Sequence, residues 1–286
     1  MEAMTFAAGF ALLAALASAV GSVAQHGAAS QVPRADSSGP ALLLTLARQR
    51  VWWAGVLGDA GSFAFQAVAL ALGPLLLVQP LLVVALVFAL PIGARWSGRR
   101  VVPSDVGWAV ALCAGLTVFL VLGNPTAGVD HASAREWSVV GSVLGLVIGI
   151  CAFTAGLTRG AARAGLLAVA TGTCFGLSAA LTKSVADLFA DNPVAVLTFA
   201  GTYALLGTGA LGFYFQTAAF QAGALSASLP AMTLLEPVVA VGVGIAILQE
   251  HVRADGLEWF LLGVAGVVMV VATVALSLSS ARASVP

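Results

Sequence analysis

Apolar residues fill this chain in long blocks, and polar residues gather in short breaks between them. Neither strict alternation nor recurrence every three to four positions divides the blocks into a wet and a dry face. A segment that is apolar all round has no side to turn to water, so it belongs in lipid or deep in a core. Lipid offers a backbone amide no partner, and a block of about 20 residues crosses the hydrocarbon only as a helix. The blocks predict helices at about 4–28, 51–72, 74–94, 105–122, 137–157, 165–187, 194–218, 225–248 and 257–278, nine in number. The breaks carry turn chemistry, as at Pro33-Arg34, Gly73-Pro74, Gly98-Arg99-Arg100, Asn124-Pro125 and Asp191-Asn192-Pro193. The predicted fold class is all-α: a polytopic helical membrane protein whose residues 1–286 form a single membrane domain in contact with the lipid bilayer. Ala41 to Leu46 is apolar but too short to span, and is predicted to lie on the interface.

Composition narrows the class further. Of 286 residues 60% are hydrophobic and 8% charged, with a mean hydropathy of +1.03, against about 25% charged in a soluble domain. So few charges cannot cover a soluble surface. Formal net charge is zero and no basic tract follows a phosphate backbone, so nucleic acid is not an expected partner. Cys113, Cys151 and Cys174 sit in apolar runs without Cys-x-x-Cys spacing and read as packing residues. The block from Met4 to about Ala24 follows Glu2 rather than a basic stretch, which favours a true span over a leader. No Gly-x-Ser-x-Gly, His-Glu-x-x-His or Walker loop occurs, so neither an enzyme nor a cofactor is expected, and any transport must be driven by a gradient.

Charge sets the orientation, because basic residues are retained in the cytoplasm. Arg34, Arg48, Arg50, Arg95, Arg99, Arg100, Arg159, Arg163 and Arg282 fall on one face; Arg135, Lys183 and Arg253 fall on the other, where acidic residues gather. Nine basic residues against three predict an N-terminus outside and a C-terminus in the cytoplasm of a multi-pass plasma-membrane protein, which requires an odd number of spans.

An internal repeat emerges at an offset of 150 residues. Phe63, Phe65, Gln66, Ala69, Gly73, Leu75, Pro80 and Asp105 then match Phe213, Phe215, Gln216, Ala219, Gly223, Leu225, Pro230 and Asp255. Near the start of each half, Gly21 to Ala24 resembles Gly176 to Ala179. A shift of five spans inverts one half relative to the other, giving two inverted repeats of about 4–157 and 165–278, the second lacking its last helix. Substrate sites in such architectures lie near the midplane between the halves.

An ionisable side chain in mid-membrane needs a partner, a water-filled cavity or a task. Glu236 lies near the centre of the eighth predicted helix, and Pro237 leaves a carbonyl one turn earlier without its donor. That pair suits a cation or proton, or else a Glu bonded to a neighbouring helix. Asp59 lies about two turns into the second helix between Gly58 and Gly61, where another helix, a ligand or a shallow vestibule can approach. Gln66 and Gln79, at similar depth on adjacent helices, are expected to read a polar substrate together or to bond each other; Gln216 and Gln221 are their inner counterparts. Lys183 and Asp187, one turn apart, are expected to pair locally with the lysine snorkelling. His26 is a titratable group at the inner interface, and Trp52, Trp53 and Trp137 mark interfaces. Gly141, Gly145 and Gly149 form a stripe that lets two helices pack closely, within the chain or across a homodimer.

Trp52-Trp53-Ala54-Gly55, followed by Gly73-Pro74 and Gln79-Pro80-Leu81, resembles the drug/metabolite transporter superfamily, nearest to its NIPA-type magnesium-transporter-like branch. Leu235-Glu236-Pro237-Val238 and Leu248-Gln249-Glu250 resemble the Glu-Pro and terminal Gly-Glu of EamA-type members. The resemblance implies two inverted helical repeats and alternating access, with Glu236, Asp59, Gln66, Gln79 and Gln216 along the path. Phe63 and Gln66 stand where NIPA-type proteins tend to carry an acidic residue and Asn, and the basic cluster after the first helix is reduced to Gln25-His26. The expected function is a secondary transporter of a small polar metabolite or cation. A magnesium route using Asp59 and Glu236 is one alternative, and a non-transporting scaffold or lipid-handling partner another.

Overall fold

The computed structural model describes residues 2–30, 48–96, 98, 100–128, 132–222 and 225–283. These form α1 (Glu2–Ser30), α2 (Arg50–Leu72), α3 (Leu75–Leu82), α4 (Ala85–Trp96), α5 (Pro103–Gly123), α6 (Ala134–Leu157), α7 (Gly160–Asp191), α8 (Ala200–Gln221), α9 (Leu225–Ala246) and α10 (Leu257–Ala283). The chain is an all-α, polytopic membrane protein: eight of its helical rods, with α3 and α4 taken as one, are long and apolar enough to cross a bilayer. The remaining one of the nine expected spans, α8, is 22 residues long but diluted by Gly, Thr, Gln216 and both tyrosines, Tyr203 and Tyr214. It nevertheless runs antiparallel along α7: Ser178 and Thr208 share a hydrogen bond of 2.8 Å, while Gly212 lies against Cys174 and Phe175. The stretch from Ala41 to Leu46, the side chains of His26 and Gln221, and Arg34, Arg99, Asp130 and Gly223 lie outside the described residues.

Two expected boundaries need correction. The third span is not one helix over 74–94 but two, joined by a tight turn at Val83 and Val84. There the amides of Val83, Val84, Leu86 and Val87 bond to carbonyls three residues back, as in a 3₁₀ turn. Pro80 and Pro91 flank the turn, and each withdraws a donor from the helical ladder. The sixth span is longer than 165–187: α7 has 32 residues, about 48 Å at 1.5 Å each, well beyond a hydrocarbon core of about 30 Å. It is also the most enclosed helix, flanked by α6, α8 and α9.

Small residues bring the helices together, as lipid demands where no hydrophobic force separates helix from tail. Gly21 of α1 meets Gly55 and Gly58 of α2, and a Cβ on Gly58 would lie 2.8 Å from the Gly21 Cα. Ser62 Oγ donates to the Ala14 carbonyl at 2.8 Å along the same seam. The glycine stripe of α6 behaves differently from the expectation of close packing within the chain: a Cβ at Gly141, Gly145 or Gly149 would meet nothing within 4 Å.

The 150-residue offset relates more than sequence. α2 and α8 start at Arg50 and Ala200, and α3 and α9 start at Leu75 and Leu225. Three matched pairs share environments, Phe63 and Phe213 exposed, Gln66 and Gln216 half-buried, Ala69 and Ala219 buried, whereas Phe65, Pro80 and Asp105 differ in burial from Phe215, Pro230 and Asp255. α1 packs on α2 and α3–α4, and α7 on α8 and α9; α5 packs on α10, and α6 and α2 on α7.

Candidate functional site

α9 carries the one carboxylate at the middle of a span in the second half. Glu236 lies near the centre of the Ser228–Ala246 span, between Pro230 and Pro237. Pro237 has no N–H, so the Thr233 carbonyl lacks its helical donor, while Thr233 Oγ1 donates to the Leu229 carbonyl at 2.8 Å. Gly172 and Gly176 of α7 press against the backbone here: a Cβ on Gly176 would come within 2.6 Å of the Glu236 carbonyl oxygen. The glutamate is half-buried, and among the described residues no hydrogen bond or ion pair reaches its carboxylate. Bonding to a neighbouring helix, one of the two expected roles, is therefore not what holds it.

Asp59 sits toward the arginine-bearing end of α2 and accepts a hydrogen bond from Gln25 Nε2 on α1, beside Gly21. Its small neighbours admit α1 as the sequence suggests, yet the side chain remains exposed. Gln66 is half-buried, and no hydrogen bond joins it to Gln79. Gln79 is 1% exposed with its Nε2 unpartnered, and an unmet buried donor costs about 1–3 kcal/mol. No hydrogen bond or ion pair joins any two of Glu236, Asp59, Gln66, Gln79 and Gln216. Among the described residues no three His, Cys, Asp or Glu side chains converge.

A further site escapes the sequence reading. At the end of the molecule opposite the arginines, Glu250 is only 1% exposed although it follows α9 in a connecting segment. Its carboxylate accepts from the amides of Leu75 and Leu76 at 2.8 and 2.9 Å, the first free donors of α3. Gln249, at φ +54°, swings the chain inward, and Gly244 leaves room: a Cβ there would lie 3.0 Å from Glu250 Oε2. Lys183 of α7 is 5% exposed and does not snorkel. It pairs with Asp187 at 3.5 Å, as expected, but also donates to carbonyls at the end of α2 and just beyond it, Leu70 at 3.2 Å and Gly73 at 3.5 Å. An anion thus sits at a helix start and a cation at a helix end, each where the backbone dipole favours it. Burial raises the Glu250 carboxyl above the usual carboxylate range, and the two amides and Lys183 draw it partly back. Beside it Thr126 and His251 pair by backbone bonds of 2.9 and 3.4 Å. Apart from the Lys183–Asp187 pair within α7, each of these links joins residues before 130 to residues after 180.

Comparison with known proteins yields one informative relative: an uncharacterized protein of Corynebacterium glutamicum, 36% identical over 282 residues, covering 98% of this chain and 97% of that one. No family model matches the sequence. No solved structure matches it.

Proposed function

This chain belongs to the same family as the corynebacterial protein, and we propose that it is a secondary transporter moving a small polar metabolite or cation across the plasma membrane by alternating access. The observation that carries this reading is Glu236: a half-buried carboxylate at the centre of a twice proline-interrupted span, with no group of the described residues bonded to it. A charge there is costly unless water, a proton or a substrate meets it. A purely packed helix would not retain it without a partner.

The repeated helix boundaries support two inverted halves, and the links around Glu250 and Lys183 are those that a rocking motion must open and reclose. The excess of arginine at the other end supports an outside N-terminus and a cytoplasmic C-terminus. Uptake into proteoliposomes of a panel of amino acids, nucleosides and divalent cations, with and without a proton gradient, tests the reading. At least one solute is expected to enter, and Glu236→Gln is expected to abolish its flux while the protein still elutes as a folded species. Flux unchanged by Glu236→Gln, or no flux of any solute tested, overturns it.

A further inference from the structure

Between α4 and α5 a groove of about 600 Å³ opens to the side of the molecule. The two helices barely touch, because α4 leans on α1 and α5 on α10. Leu90 and Pro91 form one wall, and Val106, Val110, Ala114 and Thr117 the other. The Thr117 hydroxyl already donates to the Cys113 carbonyl at 2.8 Å, so the lining offers a ligand almost nothing but hydrocarbon. From Val106 to Thr117 the groove follows α5 for about 16 Å, roughly half of a 30 Å hydrocarbon core. Its length is that of one leaflet.

The mouth of the groove is cationic. Arg95 lies one turn beyond Pro91 on the same side of α4, and Arg100 immediately precedes Val101, which also lines the groove. Both arginines are exposed, and among the described residues neither has an ion-pair partner. Trp96, next to Arg95, and Trp108, between Val106 and Val110 on α5, are both exposed, and indole rings favour the headgroup level. Basic pockets between spanning helices at such a level bind anionic headgroups. We propose that this groove is a binding site for an anionic phospholipid of the leaflet at the arginine-bearing end. An acyl chain lies between α4 and α5, and its phosphate is met by Arg95 and Arg100.

The full-length protein in detergent is offered phosphatidylglycerol or phosphatidylcholine of identical acyl chains, and bound lipid is counted by native mass spectrometry. Two arginines supply a preference for phosphatidylglycerol on the order of tenfold or more. Arg95→Gln with Arg100→Gln brings that preference close to one without lowering phosphatidylcholine binding, whereas Arg159→Gln with Arg163→Gln leaves it in place. Ala114→Phe, which fills the groove from its open side, reduces both lipids. Equal retention of the two lipids by the unaltered protein overturns the site. So does a preference that survives loss of Arg95 and Arg100, one that vanishes equally with Arg159 and Arg163, or full lipid retention by Ala114→Phe.

Discussion

Single residues carry the two sites in different ways. Glu250 joins the start of α3 to the end of α9 through two amides, so Glu250→Ala leaves two buried donors unmet, at about 1–3 kcal/mol each. A marked fall in thermal stability in detergent is expected, with Glu250→Gln intermediate because one carbonyl acceptor survives. Removing Lys183 is expected to be as damaging. Lys183→Met takes the cation from Asp187 and a donor from the Leu70 carbonyl in a buried setting, and breaking such a pair from one side costs about 3–5 kcal/mol. The pH dependence follows from the raised Glu250 carboxyl. The folded chain holds this proton more tightly than the unfolded chain. Its contribution is therefore complete below the ordinary carboxylate pKa and is lost as pH rises through the raised value. The unfolding temperature of the wild type is expected to fall relative to Glu250→Gln across that window; a relative rise there contradicts the assignment. Glu236 was legible in the sequence because a charge inside an apolar block stands out. Glu250 was not, since it lies in a polar break among other acids, and its burial depends on the turn at Gln249 and the space at Gly244. Lys183 gave no pointer to it either, because its opposing charge, Asp187, stands one turn away in the sequence.

At the scale of elements, glycines decide which faces touch. Gly176 abuts the α9 backbone at Glu236 and Val239, so Gly176→Val is expected to force α7 from α9 and destabilise by about 1–3 kcal/mol. Gly145→Ala on α6 meets nothing and is expected to leave stability unchanged, or to raise it by up to about 1 kcal/mol through helix propensity. Thermal unfolding of the two variants in one detergent separates the cases, and equal losses contradict the packing described. Both glycines occur in small-residue patterns, which is why the sequence alone assigns close packing to the α6 stripe. Periodicity tells which residues share a face, and only the fold tells which face has a neighbour. The break in the third span has a similar origin. Pro80 and Pro91 were visible, but a proline is compatible with a kinked continuous helix, so the tight turn at Val83 and Val84 did not follow from their presence.

Across the whole molecule, the all-α class and the span positions follow from apolar blocks alone, because the lipid constraint leaves the backbone so few choices. α8 marks the limit: its Gly, Thr, Tyr and Gln content weakens the hydropathy signal, while its antiparallel packing on α7 holds it among the spans. The earlier and later helices meet where α5 packs on α10 and α6 and α2 on α7, and are tied at one end by Lys183, Glu250 and the Thr126–His251 pair. Transport by alternating access requires water to reach Glu236 from one side at a time. Its most direct test replaces Cys113, Cys151 and Cys174 by serine, introduces Glu236→Cys, and applies a membrane-impermeant thiol reagent from each side of a sealed vesicle, with Asp255→Cys as an exposed control. Labelling at position 236, slowed by a solute that the unaltered protein transports, is the result expected of a mid-membrane binding group. No labelling from either side, with the control fully labelled, would contradict it and leave Glu236 a packed residue.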